Sequence, residues 1–301
     1  MTLNSQIQSE DDPLVLAHAA ADALILQVNE QITLETFDVS NQALLKQLVE
    51  GLGDTRGLVR LRFAETLGEI GEPATPFLLE ALSSHANVVV RRAAAKTLTL
   101  IADPAAVPTL LNAFLHDEDT VVQGSAAGAL ARTGETAVPA LLDILASTEY
   151  SESTKGHAAW ALAFIGSEAA DHLYAALDSD LVDVRCAVVG AIAHVAQEQA
   201  DERACNVLVS ALTDPEGVIR TEAAAALGQI NYPPALPHLI LALRDADGEV
   251  RKAAVSSLGK IGGQSALEPL QAALNDPLEV VRVLAKLAIA QIERQSTAES
   301  W

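Results

Sequence analysis

Aromatic side chains are scarce in this chain of 301 residues, which holds two Trp, three Tyr and five Phe although half of it is hydrophobic. Two of these rings, Trp160 and Phe164, stand four residues apart, with His157 three residues before the first. At that spacing the three side chains share one face of a helix. On an exposed face such a group does recognition chemistry, by stacking on a planar ligand or anchoring a partner protein. Catalytic patterns are missing. There is no phosphate-binding glycine loop, no dinucleotide fingerprint, no nucleophile elbow and no H-E-x-x-H, and the seven histidines are dispersed. The two cysteines, Cys186 and Cys205, fall on successive helical stretches, offset along the helices by roughly 7 Å at 1.5 Å per residue. That disfavours a mutual disulfide. Buried, inert thiols are the plainer expectation, and an iron–sulfur role would need ligands from elsewhere.

The elements that must carry these residues repeat along the chain. A Val-Arg-like pair recurs at Val59-Arg60, Val90-Arg91, Val122-Gln123, Thr154-Lys155, Val184-Arg185, Ile219-Arg220, Val250-Arg251 and Val281-Arg282, with the second members spaced by 30 to 35 residues. Seven residues after each anchor stands Leu or Ile, and small residues, mostly Ala, fill the third and fourth positions. Offsets of 0, 3, 4, 7 and 10 form one helical stripe, so each unit carries a helix with one buried face. A shorter Leu-rich helix accompanies it, opening near Pro76, Pro108, Pro139, Pro237 or Pro269, where a missing N–H costs the helix nothing. Asp54, Asp117, Asp214, Asp245 and Asp276 precede their anchors by six residues. They are expected to cap the anchor helices and to pair with Arg60, Arg91, Arg185, Arg220, Arg251 and Arg282 in a ladder between neighbouring repeats.

The segments VRRAAAKTLTLIADPAAVPTLLNAFLHD and VRKAAVSSLGKIGGQSALEPLQAALND resemble the short HEAT repeats of the phycobilisome (bilin) lyase-like HEAT family of cyanobacteria, whose pattern is V-R-x-x-A-A-x-x-L-G-x-I-G followed by A-x-P-x-L. The resemblance implies an all-α fold, an α-solenoid (superhelix) of about eight helix pairs over residues 41–294. A capping helix is expected at 13–32, with Leu16, Ala20, Leu24 and Val28 as its stripe, because the end of a stack needs a lid. Residues 1–12 and 295–301 are expected to be disordered.

With this phase, offsets 2, 5 and 9 oppose the buried stripe and line the concave surface. Trp160, Phe164 and His157 then share a surface with Gly128 and Gly190 in adjoining repeats, edged by Arg92, Lys96 and Arg132 on one side and His194 on the other. The competing structural reading is that the two rings fill space left by the glycines between adjacent helices. The formal charge of −21 argues against nucleic acid and acidic membranes, no run approaches the ~20 apolar residues of a membrane span, and the expected setting is the cytoplasm. Residues 101–202 hold 16 acidic side chains against three basic ones, which suits a solvated face or a meeting with a basic surface.

Function is expected to lie in a site grafted on the repeats. The first expectation is a non-catalytic scaffold gripping a client protein, with no resident cofactor. The family resemblance implies a phycobiliprotein, or a second HEAT-repeat subunit, as partner, in assembly, chromophorylation or turnover of phycobilisomes. Alternatives from the resemblance are a bilin lyase-like subunit handling a transient linear tetrapyrrole (bilin), with Arg132 or Arg92 meeting its propionates, and a partner in iron–sulfur cluster assembly through Cys186 and Cys205.

Overall fold

The computed structural model describes residues 12–199 and 201–298. The chain divides into two compact units, one up to Ala137 and one from Val138. The first holds helices α1 (Pro13–Thr33), α2 (Gln42–Gly51), α3 (Gly57–Ile70), α4 (Thr75–Ser84), α5 (Val88–Ile101), α6 (Val107–His116) and α7 (Thr120–Arg132). The second holds α8 (Val138–Ala146), α9 (Glu152–Ile165), α10 (Ala170–Ala175), α11 (Val182–Gln199), α12 (Glu202–Ala211), α13 (Gly217–Ile230), α14 (Leu236–Ala242), α15 (Gly248–Ile261), α16 (Leu267–Ala272) and α17 (Glu279–Ala298). No strand occurs among the described residues. Nor is any described helix long and apolar enough to cross a membrane.

From α2 onward the helices alternate as first and second members of pairs. The anchor helices are the second members, and within each unit they pack on one another: α3 on α5 on α7, and α9 on α11 on α13 on α15 on α17. The stripe explains why. Phe63, Ala94, Ala126, Ala158, Val188, Ala223, Ala254 and Ala285, three after each anchor, are all buried, and Ala at this position lets neighbouring backbones approach closely. Leu67, Leu98, Leu130, Leu162, Ile192, Leu227 and Leu258, at offset seven, are buried beside them. Gly71, Gly134, Gly166 and Gly262 end their helices at positive φ, as a C-terminal cap requires.

The ladder forms in four rungs, each a fork of two N–H donors on one carboxylate: Arg91 on Asp117 and, in the second unit, Arg185 on Asp214, Arg220 on Asp245 and Arg251 on Asp276. Each of these Arg also donates Nη1–H to a carbonyl in the loop of its own repeat. Arg60 and Arg282 bond only within their own loops, Arg60 to the Asp54 carbonyl at 2.6 Å and Arg282 to the Asp276 and Pro277 carbonyls at 2.7 and 3.0 Å. The repeat after Arg60 offers His85 where the repeats after Arg91, Arg185, Arg220 and Arg251 offer Asp. The capping expectation is corrected as well. The five Asp do not cap the helices; their Oδ1 atoms accept from the N–H two residues on, at Arg56, Asp119, Glu216, Asp247 and Leu278. The turn is thereby held, while the helix N–H groups are met one step later by Asn87, Asp119 and Asp247.

Helix α1 packs on α3 through a face that keeps Val28 and the half-buried Leu24 of the expected stripe but is rotated away from its N-terminal half. Ile25 and Val28 are buried, whereas Leu16 is 56% exposed and Ala20 is exposed too. Polar locks set that rotation. Arg56 donates to Asp22 Oδ2 at 2.9 Å and to the His18 carbonyl at 3.2 Å, and Thr66 donates to Asn29 Oδ1 at 2.8 Å. The segments expected to be disordered fall partly on residues 1–11 and 299–301, which lie outside the described residues. Helix α17 continues through 298.

Candidate functional site

Trp160 and Phe164 lie on α9 in the second unit, with ring centroids 5.7 Å apart and planes inclined at 36°. They are 51% and 50% exposed, so the rings touch each other and solvent rather than disappear between helices. An open groove of about 430 Å³ runs from Trp160 across α9 and α11. It is lined on the α9 side by Gly156, Ala159 and Ala163, and on the α11 side by Cys186, Gly190 and His194. His157, one turn before the rings, is exposed, and its Nδ1 lies 2.8 Å from the Ser153 carbonyl.

Apart from the helix-ending glycines, two kinds stand within the helices. A Cβ on Gly51 would come within 2.4 Å of Phe63, and one on Gly228 within 2.3 Å of Ser257. Those glycines serve packing. By contrast, a Cβ on Gly124, Gly128 or Gly156 would meet nothing within 4 Å, and one on Gly190 only the Glu222 carboxylate at 3.7 Å. Each costs its helix roughly 1 kcal/mol relative to Ala, with no close neighbour in its own unit to account for it. Sequence alone could not separate the two kinds, because the difference lies in what the next helix presents.

Charge around the groove is predominantly acidic. Glu152, Asp183 and Glu222 line it, and its Lys is Lys155, whose Nζ donates to Asp183 Oδ2 at 2.5 Å. Cys186 is half-buried there. Burial first, then the nearby carboxylates of Glu222, Asp183 and Asp214, push its thiol pKa up, so it stays protonated and poorly nucleophilic. Cys205 is buried, and burial again raises its thiol. Among the described residues no three His, Cys, Asp or Glu side chains converge so as to hold a metal. An iron–sulfur role for Cys186 and Cys205 finds no support.

The remaining candidates belong to the first unit. Lys96 and Arg132 are exposed, and Gly128 is half-buried on α7. Arg92 is not a free cation. Its guanidinium forks onto Asp119 at 2.9 and 2.5 Å, and Asp119 in turn accepts from the N–H groups of Val121 and Val122. Arg92, with these amides, holds the Asp119 carboxyl down at about 2 against the opposing effect of burial. The charged and thiol residues of the groove that sequence reasoning did not place there are Glu152, Lys155, Asp183, Cys186 and Glu222. Cys186 and Glu222 had one signal, position, since offsets one and two after the anchor turn toward the same side as Trp160, whereas Lys155 is itself the anchor, at an offset assigned to the buried stripe.

These helix pairs, stacked through small residues and tied by Arg–Asp rungs, define an α-solenoid class of repeat protein. HEAT repeats match residues 44–131, 75–162, 111–193, 170–247 and 205–290, and the chain belongs to the HEAT-repeat family. A curated relative, the bilin biosynthesis protein MpeU of Synechococcus sp. (strain WH8020), is 46% identical over 185 residues, which is 62% of this chain and 62% of that protein. The chain thus spans less than two thirds of that relative's length. The resemblance to phycobilisome lyase-like HEAT proteins is matched by this relative. Among solved structures, Kap95p bound to RanGDP is 14% identical, with coverage of 94% of this chain and 44% of that chain and a TM-score of 0.51, a likeness of fold alone. The CpcE and CpcF complex of phycocyanin lyase from Nostoc sp. PCC7120 is 21% identical over 85% of this chain and 98% of that chain, with a TM-score of 0.34.

Proposed function

We propose that this protein acts on phycobiliproteins as a HEAT-repeat binding subunit, gripping the client protein during bilin attachment or turnover. The observation that carries the reading is the half-exposed Trp160–Phe164 pair beside open glycines, in a chain related to a bilin biosynthesis protein. Large apolar rings left in water are the usual anchors of an interface. No residue is assigned a catalytic role, since the groove offers a protonated thiol and an exposed histidine but no nucleophile–base pair. Direct capture of a linear tetrapyrrole is the second reading, favoured by the flat Trp160 surface. Arg92, one of the two candidates for its propionates, is already committed to Asp119.

Pull-down of chromophore-free phycobiliprotein subunits tests the proposal. The double variant Trp160→Ala/Phe164→Ala is expected to lose at least about tenfold in affinity, the scale of a hot-spot residue, with an unchanged circular dichroism spectrum because both rings are half in solvent. Full retention of the client by that variant would defeat the reading. For the second reading, a tetrapyrrole whose absorption and fluorescence stay unchanged at saturating protein would remove direct capture.

A further inference from the structure

The groove beside Trp160 has a chemistry of its own, and three observations describe it. Its small lining residues, Gly156, Ala159 and Ala163, let a rod of backbone come close, as helices do when they pack 8–10 Å apart. Its apolar anchor is Trp160, which lines it and has the Phe164 ring beside it, both rings half in solvent. Its charge is negative and uncompensated. Between residues 138 and 202 the sequence has eleven Asp or Glu and two Lys or Arg; both cations are used internally, Lys155 on Asp183 and Arg185 on Asp214. Glu152 and Glu222, which line the groove, make no ion pair among the described residues.

A carboxylate-bearing ligand entering here would meet like charge with no free Lys or Arg in the groove to receive it. A basic amphipathic helix meets the opposite. Its apolar face finds Trp160 and Phe164, its backbone finds the glycine and alanine strip, and a Lys or Arg on its flank finds Glu222 or Glu152. We infer that the groove between α9 and α11 receives a cationic amphipathic helix of the client protein, and not the propionate end of a chromophore. This rests on the client-binding reading and specifies which part of a client it grips.

The full chain carrying Trp301→Phe leaves Trp160 as its single Trp, so the emission of Trp160 reports occupation directly. The probes are an 18-residue Leu/Lys amphipathic peptide and its Leu/Glu counterpart. The Leu/Lys peptide is expected to shift the Trp160 emission to the blue and to bind at least about tenfold more tightly than the Leu/Glu peptide. Gly156→Leu, whose new side chain enters open space, is expected to abolish the shift without lowering the melting temperature. Glu222→Gln should weaken binding about threefold at low salt, the scale of one exposed ion pair, whereas Glu268→Gln on α16 should leave it unchanged.

Equal binding of the two peptides, an equal effect of Glu268→Gln, or an unaffected Gly156→Leu variant would overturn the inference. Failure here is separable from failure of the client reading. A chromophore-free subunit that still needs Trp160 and Phe164, yet ignores Glu222→Gln and salt, removes the basic-helix inference and leaves client binding standing. A subunit that does not bind at all removes the client reading, and the peptide arm still decides the chemistry of the groove.

Discussion

Ala102 ends α5 at φ 56°, in the left-handed region, where the equivalent repeats place Gly71 and Gly262 and one places Asn231. Its N–H still closes onto the Leu98 carbonyl at 2.9 Å, so the turn forms despite the Cβ. An L-residue held there costs roughly 1–2 kcal/mol, which glycine avoids at the expense of a more flexible unfolded chain. Ala102→Gly should therefore stabilise the first unit by about 0.5 kcal/mol, while Gly71→Ala should destabilise it by at least about 1 kcal/mol. Urea midpoints of the two variants check this, and a loss of stability in Ala102→Gly would contradict the strain assigned to it. At this scale the sequence was a good guide to backbone, because glycine after a Leu/Ile stripe has one conformational use. It was a poor guide to side-chain partners. That Arg92 forks onto Asp119 depends on how far one loop reaches toward the next helix, which no spacing within a repeat encodes.

Pairs of helices are joined by the rungs, and the rungs were half legible. The regular Arg and the Asp six residues before the following anchor announce a contact between repeats, and in four places they make one. What the pattern hid is that the Asp serves two partners, accepting the turn N–H and the guanidinium of the repeat before it. It also hid the substitute at the start of the stack, where no earlier repeat supplies an Arg and Arg56 folds back onto Asp54 at 2.9 Å. The same blindness misplaced the first half of the α1 stripe, Leu16 and Ala20: periodicity finds an apolar face, but Arg56, Asp22 and Thr66 help decide which side turns inward. Arg251 and Asp276 are 12% and 7% exposed at their side chains. Arg251→Gln leaves that carboxylate without its fork and should cost about 2–3 kcal/mol, the range for a charged hydrogen-bonded pair. Arg282→Gln removes only own-loop bonds and should cost under about 1.5 kcal/mol. Hydrogen exchange distinguishes the sites, with Arg251→Gln expected to release protection in α16 and α17 first.

Across the whole molecule the net charge of −21 makes proton binding a global lever on stability. Four carboxyls titrate low in the folded chain chiefly through bonds from Arg: Asp54 through Arg56, Asp119 through Arg92, Asp245 through Arg220 and Asp276 through Arg251. Burial opposes the shift at Asp214 most strongly, yet the bonds from Arg185 and the Glu216 amide still leave it lowered. Each such group binds its proton more readily when unfolded, near the ordinary Asp value of about 3.9. Their contribution is thus complete above that value and is lost as the pH falls through the folded ones, down to about 2 for Asp119. The melting temperature should be flat or slightly rising from pH 7 to 5, as self-repulsion of the acidic surface is relieved, and should then drop steeply between about pH 4 and pH 2. Arg92→Gln frees Asp119 to titrate near its ordinary value and should flatten the lowest part of that limb. A calorimetric pH series on the two proteins measures the difference, and parallel acid limbs would show that the Arg92–Asp119 fork carries none of the acid sensitivity.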